Sequence, residues 1–470
     1  MVHLVLSTEP VTFWPYEARS FMGAPTVSRR NYDETTLPLS TDPLLAAARL
    51  AESGLSDTFV LYEREGQWCL GIGVLCEITV DTSTVVMNTA DGERRCESWI
   101  GSPLDVVGEL LQDVPAAQWR AYGWAGFELA YAHAGLLEDG EDHTLLHLVV
   151  PHTEVVLETG RATVRSTEQA FLDKAVELLG SPPEEPGYQP MPIEVGDSGF
   201  EEYGQAVASA VDDIRDGLLQ KVILSRVVPV DQPVDLVGTY VVGRRRNTPA
   251  RSFLLNAGGL RAAGFSPEIV MTHEAGGRVT TQPLAGTRAL TGRAGEDERV
   301  RADLLNNSKE IFEHAISVKV AYDELVELCD EDNVTVDSFM TVSERGSVQH
   351  LASSVSGQLL EHQGPWQALA ALFPAVTASG VPKKAAYECI RRYEPEERGL
   401  YSGAVLTVDH AGTMDAALVL RTVFQQDGRT WLRAGAGIVG QSEPEREFEE
   451  TCEKLRSVAL HLVPPQGSSS

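Results

Sequence analysis

The sequence is short of positive charge. Its 470 residues carry 38 lysines and arginines against 68 aspartates and glutamates, a formal net charge of −30. No lysine- or arginine-rich arm offsets that deficit, which argues against nucleic acid or an anionic membrane surface as a partner. No apolar run reaches the roughly 18 residues that a membrane span needs. Met1-Val2-His3-Leu4 lacks the charged and apolar regions of a secretory signal, so the expected location is the cytoplasm. The six cysteines, Cys69, Cys76, Cys96, Cys329, Cys389 and Cys452, are too scattered for a disulfide framework or a zinc site and read as buried, reduced thiols. No internal repeat recurs at a fixed period. What is present is an ordinary globular composition, 43% hydrophobic, long enough for one large domain or two to three smaller ones. An anionic substrate would need a local exception to the overall field, either a metal or a few buried cations.

Strand and helix patterns are mixed without a strict βαβ alternation. Asp42-Pro43 opens a helix that stops near Gly54, and a second capped helix fits 103–112. Residues 58–63 and 67–80 read as paired strands around Glu65-Gly66. The small and aromatic run 121–132 suits tight packing against a sheet, and strands near 145–150, 153–158 and 161–165 precede a helix at 167–179. Residues 181–192 hold five prolines and read as a linker, and 465–470 as a frayed tail. Beyond the linker, Phe200, Tyr203, Val207, Ala210, Val211, Ile214 and Leu218 follow helical spacing. Lys221 then enters an apolar strand, and further strands fit 252–256, 261–264 and 268–273. A long helix over 308–329 places Ile311, Ala315, Val318, Tyr322 and Leu325 on its core face. The pattern predicts an α+β fold with large antiparallel sheets.

The stretch that concentrates chemistry is 435–454. Gly435 and Gly437 interrupt the apolar strand Trp431–Val439, which marks a place where something approaches the backbone closely. Ser442 is the expected N-cap of the following helix, with Glu445 completing a capping box and Pro444 in the first turn. Glu447, Glu450 and Lys454 then share one helix face. That face is either a solvated acidic turn or a site for a hard metal beside an anion. Glu310 and Glu313 share a face of the 308–329 helix, opposite Ile311 and Ala315; with Glu447 and Glu450 they would make an all-oxygen set that suits Mg²⁺ better than zinc. His314 reads as a packed histidine.

Other candidates stand alone. Lys221, held among valine and isoleucine, is either a base with its ammonium form disfavoured or a lysine reaching solvent at a strand mouth. Glu268, after Ser266-Pro267, is either a general acid or a strand-end charge. Thr281–Arg288 reads as a turn in which Gly286 and Thr287 could offer an amide and a hydroxyl to an anion. His350, Thr377 and Tyr401 lie in small or glycine-rich surroundings. Arg421 ends the apolar run 416–420 and needs a carboxylate, from a substrate or from a structural aspartate.

Taken in order, the runs Lys221–Arg226, Ser266–Glu268, Pro283–Arg288, Glu313-His314, Val348–Leu351, Thr377–Gly380, Arg398–Ala404, Leu420–Thr422, Ala434–Ile438 and Glu450–Leu455 resemble the chorismate-utilising enzymes of menaquinone, siderophore and tryptophan biosynthesis. The resemblance covers about 198–462 and is nearest to the siderophore-type salicylate synthases, which Asn307–Ile311, Glu344–Leu351 and Leu372–Gly380 also resemble. It implies a single fold of face-to-face sheets with helices outside, with 1–195 as its variable N-terminal half, 196–464 as the chorismate-binding region and 465–470 as a disordered tail. It implies Lys221 as the base that activates water, Glu268 as the acid, and Mg²⁺ held by Glu313 and Glu450 with Glu310 and Glu447. It further implies that Tyr401, Arg421 and the backbone of Gly435, Ala436 and Gly437 hold the enolpyruvyl carboxylate, while Lys454, Gly286 and Thr287 line the ring-carboxylate side. His350 and Thr377 complete the implied substrate site, and Thr377 favours the salicylate branch. Lysine at 221 argues for water over ammonia, so no amidotransferase subunit is expected, and a monomer is. The implied activity is conversion of chorismate through isochorismate to salicylate and pyruvate; the alternative is an isochorismate synthase that stops at the first product. Residues 383–397, more charged than that branch leads one to expect, read as a surface helix.

Overall fold

The computed structural model describes residues 29–138, 140, 143–181, 187–196, 199–345 and 348–465. The N-terminal residues 1–28, five residues of the expected linker (182–186) and the tail residues 466–470 lie outside these.

Two large antiparallel sheets, of eleven and twelve strands, pack face to face. Both are built from strands on either side of the proline-rich stretch. In the eleven-stranded sheet Phe59–Arg64 pairs with Arg251–Ala257, and in the twelve-stranded sheet Arg120–Ala125 pairs with Ala404–Asp409. The alternating strand pattern turns one set of side chains into the space between the sheets. Tyr62, Phe253, Leu255 and Phe424 from one sheet meet Tyr122, Trp124, Val405 and Ala417 from the other. Helices lie outside, and none among the described residues is long and apolar enough to cross a membrane.

Most elements fall where periodicity predicts them, and the exceptions have physical reasons. The expected strand over 67–80 is two strands, Gln67–Ile72 and Cys76–Val80, because the chain leaves one sheet for the other between them. The helix Phe200–Arg215 ends before Leu218, which follows the left-handed Gly217 and is 58% exposed. The helix Ser308–Val326 does not bury Ile311 and Ala315; its inward face is His314, Ser317, Val318, Ala321 and Leu325. That rotation matters for function, because it turns Glu313 inward beside Ser317. Thr281–Arg288 is no turn: one strand, Arg278–Gln282, ends in it, and Leu284–Ala289 is another, with a register shift at Gly286, a bulge that bends it over the helix. Nor is 383–397 a plain surface helix. Lys383–Tyr393 buries Ala386, Tyr387, Cys389 and Ile390, and Glu394 beyond its end is fully enclosed.

Candidate active site

A cavity opens where the strand Arg429–Ile438 meets the bulged strand and the helices Ser308–Val326 and Pro444–Ala459. Strand pairing sets its floor. Gly435 and Gly437 lie opposite Ser225 and Ile223 on the strand Lys221–Pro229. A Cβ on Gly435 would sit 2.6 Å from Leu224 O, and one on Gly437 would collide with the Glu313 carboxylate. The bare backbone therefore serves close approach from both sides. Ala436, between them, faces the opposite way into the main core.

Glu268 is buried at the start of the strand Ile269–His273 and faces the cavity. Thr377 donates a hydrogen bond to its Oε1. Burial pushes its carboxyl up to about 8, against the smaller opposing effects of the Thr377 hydroxyl and the charges of Lys221 and Lys454. A carboxyl in that state carries a proton at neutral pH and can donate it. Lys221 is fully enclosed, so it does not reach solvent at the strand mouth. Its Nζ lies 3.0 Å from Glu313 Oε1 and donates to Ser317 Oγ at 3.3 Å. Lys221 itself stands behind the cavity wall, reaching the site through Glu313.

At another wall Arg421 is buried with its backbone in the left-handed region, φ 50°. Its Nη1 donates to Arg345 O at 3.1 Å and its Nη2 to His350 Nε2 at 2.7 Å. His350 Nδ1 pairs with the Thr287 hydroxyl at 3.1 Å. No carboxylate pairs with Arg421 among the described residues, so the structural aspartate considered for it is not there. Desolvation and the nearby Arg345 charge bring its guanidinium down to about 10. Burial, with the Arg421 charge, also holds His350 well below its ordinary value, so the ring accepts from Arg421 as a neutral base. Tyr401 closes this wall. Behind it Arg398 and Arg433 are both paired with the enclosed Glu394, at 2.6 Å each, and lie over the Tyr401 ring.

The four candidate glutamates form a rim, each held by a different cation. Glu310 pairs with Arg288 at 2.7 Å, Glu313 with Lys221 at 3.0 Å, Glu447 with Lys309 at 2.8 Å and Glu450 with Lys454 at 2.8 Å. Glu313 and Glu450 line the cavity; Glu310 and Glu447 stand behind them. Among the described residues no three of these groups converge to ligating distance. They do feel one another: burial raises Glu310 and Glu447, and the neighbouring glutamate charges raise both further. Glu447 Oε2 is buried without a hydrogen-bond partner. An all-carboxylate set with a spare buried oxygen fits a hard divalent cation. Lys454 also donates to Gly435 O at 2.8 Å, tying the helix to the strand.

One local expectation fails here. Ser442 does not cap the helix. Glu443 is the N-cap, without a side-chain bond, and the buried Ser442 hydroxyl instead accepts from Val439 N at 3.1 Å. The strand end curls tightly enough to need that hydroxyl itself. His314 is packed as expected, buried against Ser353 Oγ at 2.7 Å. Sequence reasoning missed Lys309, Arg288, Ser317, Arg433 and Glu394. Lys309 and Ser317 flank the glutamates on their own helix at neighbouring positions, a signal that was readable. The pairing of Arg433 with Glu394 spans distant segments and left none.

Residues 57–460 match the chorismate binding enzyme family. The chain is 43% identical to the salicylate synthase of Mycolicibacterium paratuberculosis, over 92% of this chain and 96% of that protein. It is 35% identical to component 1 of the anthranilate synthase of Acetivibrio thermocellus, over 55% of this chain and 52% of that one. Among solved structures, anthranilate synthase component I from Streptococcus pneumoniae TIGR4 superposes with a TM-score of 0.72 at 25% identity, covering 85% of this chain and 92% of that one. The menaquinone-specific isochorismate synthase of Escherichia coli shares the fold, with a TM-score of 0.70 at 21% identity, over 92% and 95% of the two chains.

Proposed function

The chain belongs to the chorismate-binding enzymes, and from that premise we propose that it converts chorismate, through isochorismate, to salicylate and pyruvate, as the supply of salicylate for siderophore or related biosynthesis. The observation that carries the reading is Glu268: a cavity-facing carboxyl held protonated at neutral pH by burial, oriented by Thr377. Near-complete coverage of a salicylate synthase supports the choice of product.

In the first step Lys221, neutral and no longer paired with Glu313, takes a proton from water as the water oxygen bonds to ring carbon C2. The ring double bonds shift, the C4–O bond breaks, and Glu268 gives its proton to the departing hydroxyl. In the second step the C2 hydrogen passes to the enolpyruvyl methylene while the C3–O bond breaks, and the ring becomes aromatic as pyruvate leaves. That step asks for no further acid or base, only for isochorismate held in a reactive conformer. Arg421, Tyr401 and the Gly435–Gly437 backbone hold the enolpyruvyl carboxylate, and His350 with Thr287 keeps Arg421 aimed. Lys454, Gly286 and Thr287 line the ring-carboxylate side. Glu313 and Glu450, with Glu310 and Glu447, would hold Mg²⁺. When bound, that ion would supply positive charge beside the ring carboxylate. Because Lys221 touches Glu313, whatever engages that carboxylate also alters its hold on the base. The chain acts alone in this reading, with water as the nucleophile and no amidotransferase subunit.

Incubation with chorismate and Mg²⁺ is the test. Salicylate, followed by fluorescence, and pyruvate, followed with lactate dehydrogenase, should appear in equal amounts. Accumulation of isochorismate without salicylate would assign the chain to the alternative, an isochorismate synthase.

A further inference from the structure

Lys309 stands inside the glutamate rim. It lies in the first turn of the helix Ser308–Val326, one residue before Glu310, and its Nζ reaches across to Glu447 Oε1 on the helix Pro444–Ala459 at 2.8 Å. One ammonium from the first helix thus pairs with a carboxylate of the second. The other rim cations have second partners: Arg288 also binds Asp303 at 2.8 Å, Lys221 donates to Ser317, and Lys454 donates to Gly435 O. Lys309 Nζ makes no other hydrogen bond among the described residues. The oxygen beside its contact, Glu447 Oε2, is buried and unpartnered.

From this geometry we propose that Lys309 is an internal stand-in for the divalent cation: it neutralises Glu447 and draws the two helices' carboxylates together, and a bound metal must displace it. The inference rests on the metal role given above and deepens it. The physical case has two sides. An ammonium left beside a divalent ion repels it, so Lys309 weakens metal binding. Without a metal, the same ammonium relieves repulsion among the buried carboxylates, so it stabilises the empty protein. Replacing it should therefore move metal affinity and metal-free stability in opposite directions. A lysine that merely braced the helix would lower both.

Calorimetric titration of the substrate-free protein with Mg²⁺, repeated with Mn²⁺ followed by electron paramagnetic resonance, reads the affinity without any turnover. Lys309→Met should bind either ion about ten-fold more tightly, a modest share of what one unit charge exerts on a divalent ion across several ångströms. It should melt at a lower temperature than wild type without metal and gain more on adding it. Lys309→Arg should return to wild-type affinity. In a Glu447→Gln background Lys309→Met should bring no gain, because the effect runs through that carboxylate. If Lys309→Met folds poorly, Lys309→Gln carries the same expectation with less apolar bulk. Unchanged or weaker binding in the neutral variants, or a gain that persists with Glu447→Gln, would overturn the inference while wild-type binding stands. A wild-type chain that took up neither ion would overturn the metal reading and this inference with it.

Discussion

Two sets of buried charges lie in this molecule, and they differ in how fully they are satisfied. One set ties the sheets together. Asp415 on the twelve-stranded sheet accepts two hydrogen bonds from Arg251, at 2.9 and 2.7 Å, and one from Tyr62 at 2.5 Å, both on the eleven-stranded sheet. Glu154 does the same in reverse, taking Arg120 and Tyr122 from across the gap and Arg165 from its own sheet. Every charge there has a counter-charge and a full set of bonds. At the site, among the described residues, Arg421 has no carboxylate and Glu447 Oε2 has no partner, and burial pushes the Glu268 carboxyl up to about 8. Burying a charge is costly unless it is paired, so incomplete pairing persists where a ligand completes it. The fold shows what complete satisfaction looks like, and the site is where it is withheld.

Mutations should separate the two sets, and the largest effect belongs to the chemistry. Lys221→Ala should slow the first step by roughly two to four orders of magnitude, the scale of a general base, measured as isochorismate plus salicylate formed. Full activity in that variant would remove the assignment. Next, Arg251→Met leaves Asp415 with Tyr62 and the more distant Arg64, at 3.5 Å, and should cost about 3 kcal/mol of stability in denaturant titration, whereas Arg421→Met removes a charge that no carboxylate among the described residues balances. Arg421→Met should melt at or above the wild-type temperature while KM for chorismate rises roughly 10-fold to 100-fold, the worth of a charged hydrogen bond. A large loss of stability from Arg421→Met would erase the contrast. Glu268 makes a smaller, pH-dependent difference. Its folded value of about 8 lies above the ordinary 4.5, so the folded state keeps a proton that the unfolded chain releases. Its contribution is fully present below the unfolded value and is lost as pH rises through about 8. Glu268→Gln should flatten that fall in a melting series between pH 5 and 9. The smallest effect is at Glu445, which is exposed and forms no capping box; Glu445→Ala should stay within about 0.5 kcal/mol.

The sequence exposed the fold and the site unevenly, for physical reasons. Alternation and capping reveal strands and helices because they depend on neighbours in the chain, and the strands around Glu65-Gly66 and Gly258-Gly259 fall where expected. The orientation of the helix Ser308–Val326 was less visible. Its inward face carries His314 and Ser317 as well as apolar groups, so hydrophobicity alone pointed to Ile311 and Ala315. Glu268, Arg421 and Gly437 could be singled out because a carboxyl, a guanidinium or a bare backbone beside an apolar strand is locally odd. Among the cations that hold the glutamates, Lys221 and Lys454 could be singled out too, and Lys309 stands beside Glu310 on its helix, but Arg288 looks like an ordinary surface charge until tertiary packing sets it against Glu310. The Ser442 cap failed for a related reason: a local motif lost to a tight strand end that required the same hydroxyl.

The protonated state of Glu268 is the point on which the account turns, and infrared difference spectroscopy reads it directly. The wild-type protein should show a protonated carboxyl stretch at pH 7 that disappears as pH rises through about 8 and that is absent from Glu268→Gln. A spectrum in which Glu268 is already ionised at pH 6 would contradict the account, leaving the cavity without its acid.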